Sequence, residues 1–118
     1  MSDRMQKLFD MSVSEVYPLY VAKIERKGRT VAELDAVISW LTGFDSANLH
    51  ERLRSAVTFR EFFACATVPA EASRITGMIC GVRVEQIEHP LARSIRQLDK
   101  LIDELAKGRP LEKVLRQS

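Results

Sequence analysis

Few residues in this chain are equipped for chemistry. It has two cysteines, Cys65 and Cys80, and two histidines, His50 and His89. Nucleophilic catalysis needs a nucleophile, a base and an orienting group within reach. The pairings on offer are Cys65 with His50 and Cys80 with His89. Cys65 lies between Ala64 and Ala66, just past a run of phenylalanines, and Cys80 lies between Ile79 and Gly81. In apolar surroundings a free cysteine packs as a small hydrophobe, and its thiolate is disfavoured. Both thiols are therefore expected to be buried and inert. No Cys-x-x-Cys or His-x-x-x-His spacing suggests a metal, and the one mixed cluster, Glu85, Glu88 and His89, lacks a ligand spacing. It reads as a charged turn placing negative charge at the N-terminal end of a helix, where the dipole favours it. No catalytic, cofactor-binding or metal-ligating residue is assigned, and no cofactor is expected.

Binding residues are easier to name. Lys23, Arg26, Lys27 and Arg29 form a basic run suited to phosphates, although cations also gather at a helix C-terminus because the dipole rewards them. Residues 30–54 read as two helices around a tight Thr42-Gly43-Phe44 turn, superficially a helix-turn-helix with Ser46, Asn48, His50, Arg52 and Arg54 on the second. Against a nucleic-acid partner, 18 basic and 16 acidic side chains leave a net charge of only +2, and Glu33 and Asp35 stand beside the basic run. Ser73, Gly77 and Gly81 repeat at a spacing of four, which on a helix makes a smooth face for close packing or self-association. A further alternative is an enzyme whose site gathers Tyr17, Tyr20, Trp40 and the Glu85–His89 turn around a pocket.

The elements that must position these residues are helices. Residues 1–11 carry no cap and read as a short arm or one loose turn. Ser12 to Glu15 has capping-box spacing, but Pro18 disfavours a helix interior, so the spacing predicts a turn at 12–16 and a helix with Pro18 in its first turn. That helix would bury Val16, Leu19, Tyr20 and Ile24 and end at Gly28. A second box, Thr30 to Glu33, starts a helix that buries Leu34, Val37, Ile38 and Leu41, with Trp40 on its flank. Asp45 caps a third helix, with Phe44 and Leu49 at the spacing of a hydrophobic staple. Thr58 to Glu61 opens a fourth, Phe59 to Ala66, carrying Phe59, Phe62 and Phe63. Ala70 to Cys80 is read as a helix, because strands need partners and no other segment supplies one; a short extended segment over 78–84 is the alternative. Val84 to Ile87 reads as a single helical turn. Pro90 suits the first position of the last long helix, where Leu91, Ile95, Leu98, Ile102 and Leu105 form a heptad seam widened by Leu101. Burying those six side chains is worth on the order of 10 kcal/mol before entropy is subtracted. Asp103 and Lys107 pair at i, i+4. Gly108 closes this helix, and Pro110 opens a short final one.

With 118 residues, 46% of them hydrophobic and 29% charged, the chain has the size and composition of one globular domain. It lacks the apolar run that a membrane span needs, and Met1-Ser2-Asp3-Arg4 leads into no signal-peptide core, so export is not expected. Three stretches then carry a likeness: Val16-Tyr17-Pro18-Leu19-Tyr20, Glu25-Arg26-Lys27-Gly28-Arg29-Thr30 and Trp40-Leu41-Thr42-Gly43-Phe44-Asp45. With Ile75-Thr76-Gly77, Ile79-Cys80-Gly81 and the run from Leu98 to Gly108, the chain resembles the bacterial family known as domain of unknown function 2200, over 11–116. The resemblance implies a free-standing bacterial protein with no assigned activity, cofactor or active site, so it carries over no site residues. The expectation is an all-α, single-domain bundle of six to seven short helices over 1–118, with one longer C-terminal helix. In function it is expected to be a cytoplasmic, non-enzymatic module that binds a protein partner or a second copy of itself. Nucleic-acid binding through 23–29 and 30–54 is the alternative, and no membrane partner is expected.

Overall fold

A computed structural model describes residues 3–116. Seven α-helices account for most of them: α1 Asp3–Phe9, α2 Val13–Glu25, α3 Val31–Thr42, α4 Ser46–Arg54, α5 Phe59–Ala64, α6 Pro90–Ala106 and α7 Leu111–Val114. Between α5 and α6 lie two 3-10 turns, Ala70–Arg74 and Val84–Gln86, and two short strands, β1 Met78–Ile79 and β2 Val82–Arg83. The chain is thus mostly helical rather than strictly all-α.

The caps explain where the helices begin. Thr30 and Thr58 each accept a hydrogen bond from the backbone N–H three residues on, and Glu33 and Glu61 accept in return from the cap backbone. Asp45 caps α4, and Phe44 and Leu49 are both buried at staple spacing. His89 accepts from the Ala92 N–H at the start of α6, with Pro90 at the first helical position. Helix α6 is the central post: Ile95, Leu98, Leu101, Ile102 and Leu105 of its seam are essentially inaccessible, and α2, α3, α5 and α7 pack around it.

Four expectations are corrected. Residues 3–9 of the expected arm form α1, which buries Met5 and Phe9 in the common core; residues 1–2 of that arm fall outside the described residues. Its anchor is tertiary, since the Phe9 ring stacks on His89 at 5.1 Å. Second, α2 starts at Val13, directly after its Ser12 cap, so Pro18 lies inside the helix. It is tolerated because it stands on the exposed side, where water can serve the Ser14 carbonyl that has lost its helical partner. The core stripe of α2 is then Val13, Val16, Tyr20 and Ile24, and Leu19 is turned outward with 66% of its surface exposed. Third, 70–80 is not a helix. Cys80 and Gly81 have φ of 51° and 82°, the two left-handed residues of a tight hairpin turn, pairing Met78 with Arg83 and Ile79 with Val82. The strand's partner is its immediate neighbour, so no distant strand was needed. Fourth, both cysteines are exposed: Cys65 ends α5 on the solvent side, and Cys80 is at the hairpin tip. Apolar neighbours in sequence did not mean apolar neighbours in space.

Candidate functional site

The basic run divides. Lys23, Arg26 and Lys27 line a groove of about 770 Å³ between the last turns of α2 and α6, together with Leu19, Asp103, Ala106 and Lys107. Arg29 does not join them. Its guanidinium forks onto Glu33, with Nη2 donating to Oε2 at 2.6 Å, and its Nη1 donates to the Arg109 carbonyl at 2.9 Å, fastening the α2–α3 turn to the α6–α7 turn. That fork, more than any other contact, holds the Glu33 carboxyl below its usual value.

In the groove, Asp103 is the organising charge. Lys23 Nζ lies 3.3 Å from its Oδ1 and Lys107 Nζ 3.0 Å from its Oδ2. Burial alone would raise the Asp103 carboxyl, but the hydrogen bonds from Lys107 and Lys23 outweigh it and hold it below the ordinary value. One carboxylate therefore faces four cations, Lys23, Arg26, Lys27 and Lys107, beside an exposed leucine. One turn earlier on α6, Asp99 accepts from Arg96 at 2.8 Å and from the Tyr20 hydroxyl at 3.5 Å. Burial pushes the Asp99 carboxyl up, and burial likewise pushes the Tyr20 phenol above its ordinary value.

The other candidates scatter. Ser73 lies at a cleft beside Val68, Pro69 and Gln97, Gly77 donates its N–H to Glu85 at 2.9 Å, and Gly81 is in the hairpin turn. The three share no helix, so they do not form the helix face expected of them. The residues of the dispersed-enzyme alternative each have a partner of their own, and Trp40 packs partly buried against the core. Tyr17 donates to Asp35 Oδ1 at 2.5 Å, Tyr20 reaches Asp99, Glu85 holds Gly77, and His89 caps α6. Burial first, and then the Asp35 hydrogen bond, push the Tyr17 phenol well up.

On α4 the basic side chains lie beside other groups of the protein, and among the described residues Arg52 Nε is buried without a hydrogen-bond partner. His50 Nε2 lies 3.2 Å from Asp35 Oδ2, Arg54 Nη2 donates to Glu51 at 2.7 Å, and the Arg52 guanidinium lies 4.3 Å over the Phe44 ring. Among the described residues no group of three or more His, Cys, Asp or Glu is placed to hold a metal ion.

One cluster has no counterpart in the sequence reading. Glu104, buried at the end of α6, receives Arg116 through both guanidinium arms, Nη1 to Oε1 at 2.5 Å and Nη2 to Oε2 at 3.1 Å, and Arg109 Nη1 at 3.0 Å. In the sequence Glu104 is one of two adjacent acids, Asp103 and Glu104, and nothing in its spacing ties it to Arg109 or Arg116.

A family model described as an uncharacterized protein conserved in bacteria, DUF2200, matches residues 7–116. The chain belongs to this family. A solved structure titled uncharacterized protein SP1917 is similar to this DUF2200 chain at 44% identity and a TM-score of 0.90, over 99% of this chain and 94% of that one. No curated protein matches the sequence. Among the described residues, no helix of this family member is long and apolar enough to cross a membrane.

Proposed function

We propose that this DUF2200 protein is a non-catalytic binding module that docks an acidic, amphipathic segment of a partner protein in the groove between α2 and α6. The observation that carries this is Leu19. A leucine 66% exposed stands at the rim of a groove bearing Lys23, Arg26, Lys27 and Lys107 against the single carboxylate of Asp103. An apolar anchor ringed by cations is complementary to a helix that alternates leucine with glutamate, and the lysine stems add apolar surface while their charges set specificity. Against a duplex, the basic residues of α4 stand beside acids of the protein itself, His50 beside Asp35 and Arg54 beside Glu51, which weakens the positive field a duplex needs. A cytoplasmic setting is part of this proposal, and two exposed thiols, Cys65 and Cys80, support it because a reducing compartment suits them.

The test is fluorescence anisotropy with a labelled synthetic helix carrying leucine and glutamate at i, i+4. Wild type binds it with an affinity that falls as salt rises, and Leu19→Asp and the pair Arg26→Glu with Lys27→Glu each weaken it by about tenfold or more. Equal behaviour of the three proteins ends the proposal. Retention on duplex DNA that the charge-reversal pair abolishes, with Leu19→Asp unaffected, replaces it with the nucleic-acid alternative.

A further inference from the structure

A second basic cavity, away from the α2–α6 groove, has a different construction. It is an open hollow of about 450 Å³ lined by Arg74 and Thr76 before the hairpin, Glu104 at the end of α6, Arg109 in the following turn, Lys113 of α7 and Arg116. Four cations thus meet one carboxylate. Arg109 and Arg116 are held in place by Glu104, and Arg116 Nη1 also donates to the Val114 carbonyl at 2.8 Å. The side chains of Glu104 and Arg116 are each only 10% exposed. Among the described residues, Arg74 and Lys113 make no ion pair, and both stand at the wall of the same cavity. Glu104 therefore orients two guanidinium groups without cancelling the site's charge, leaving a surplus of three positive charges.

We propose that this cavity is an oxyanion site that takes a phosphoryl group, either as inorganic phosphate or as the phosphate of a small metabolite. Glu104 takes both arms of Arg116 but only Nη1 of Arg109, so Arg109 keeps its Nε and Nη2 donors for tetrahedral phosphate oxygens, with Arg116 behind it as a fixed positive charge. Arg74 and Lys113 supply the free charge, and the Thr76 hydroxyl adds a neutral donor. The volume is in the range of small-molecule sites and exceeds what a bare phosphate fills, which leaves room for the body of a phosphomonoester.

The experiment is calorimetric titration of the full-length protein with inorganic phosphate and, in parallel, with glycerol 3-phosphate, at constant ionic strength with chloride as the reference anion. Wild type gives saturable one-to-one binding, and Arg74→Gln combined with Lys113→Gln weakens it by at least about tenfold, since charge-assisted bonds are lost without disturbing the Glu104 cluster. Tighter binding of glycerol 3-phosphate assigns the site to a metabolite, and tighter binding of inorganic phosphate assigns it to the free ion. Absence of saturable binding by wild type to either probe, or equal affinity in wild type and the double variant, overturns the proposal. Should the double variant fail to fold, Lys113→Gln alone is titrated, and an affinity unchanged from wild type overturns the proposal equally.

Discussion

Asp103 and Glu104 are neighbours on α6, and each is the centre of a basic patch, yet the two patches are built in opposite ways. Asp103 faces the α2 side and is met by lysines whose side chains are 44% and 73% exposed. Glu104 faces the α7 side, is buried, and is met by the fork of Arg116, 10% exposed, and by one arm of Arg109, 45% exposed. Lysine stems in water keep their rotamer freedom and are screened by salt, so the Asp103 side suits a broad, adaptable protein contact. The nearly buried Arg116 fork is fixed before any ligand arrives, so the Glu104 side suits a small anion. One helix register thus divides an adaptable surface from a preorganised cavity.

Both patches lean on α6 as a common rigid post, which its buried seam must hold in place. Leu98 is 1% exposed in the seam. Leu98→Ala should cost about 2–5 kcal/mol in urea unfolding through the cavity it leaves. A cost below about 0.5 kcal/mol, the range of ordinary surface changes, would show that the post does not depend on its seam.

Next comes Glu104→Gln, which keeps shape and removes charge. Arg116 and Arg109 are then left facing a neutral amide, and the expected loss is about 3 kcal/mol, typical of removing one partner of a buried ion pair. Asp103→Asn should cost less than about 1 kcal/mol, because both of its lysines are largely in water. Similar losses in the two variants would erase the distinction between the patches.

Thr30→Ala gives a finer test. It removes the cap of α3 at a cost of about 1 kcal/mol in thermal melting. Thr30 also shares Glu33 with Arg29, and Arg29 donates to the Arg109 carbonyl. Hydrogen exchange should therefore quicken at the amides around Arg109 on the Glu104 side and stay unchanged around Lys23. A uniform change would mean that the Arg29 tie carries nothing between the two turns.

Local chemistry made much of this legible in the sequence. Thr30 with Glu33, Asp45, Thr58 with Glu61, Pro90 and the α6 seam each announce a helix within a few residues, and each stands where its cap predicts. Lys23, Arg26 and Lys27 were visible as a basic run, but the α6 half of their groove was legible only as an Asp103–Lys107 pair. Signals failed where the decisive partner was tertiary or the rule was weak. Phe9 gains its place from His89, eighty residues on. Leu19 and Tyr20 are adjacent on α2, and the stripe Val13, Val16, Tyr20 and Ile24 that meets the core leaves Leu19 outside it, a choice made by the packing partners and not by the local pattern. Cys80 adopts φ 51° because the turn demands it, though a β-unbranched thiol offers no such cue. The Glu104 cluster draws on positions from 74 to 116, a separation over which no spacing rule operates.

The smallest effects are also the most discriminating, because they carry opposite signs on one helix. Asp99 lies one turn before Asp103. Burial raises the Asp99 carboxyl despite Arg96, so the folded state holds that proton more tightly than the unfolded chain does. Its ionisation therefore works against folding: the stability it contributes is full below the unfolded carboxylate value and is lost as pH rises through the folded one. For Asp103 burial also pushes upward, but Lys107 and Lys23 prevail and lower it. Its stabilisation is present above the unfolded value and is lost as pH falls through the folded one. Asparagine titrates at neither position. Melting temperatures taken between about pH 3 and 7, around an unfolded aspartate value near 3.9, should show Asp99→Asn gaining on wild type as pH rises and Asp103→Asn losing ground over the same interval. Other carboxylates cancel in each difference. Two differences of the same sign would mean that the lysines do not hold Asp103 in solution, and the groove would then lose the carboxylate that arranges its cations.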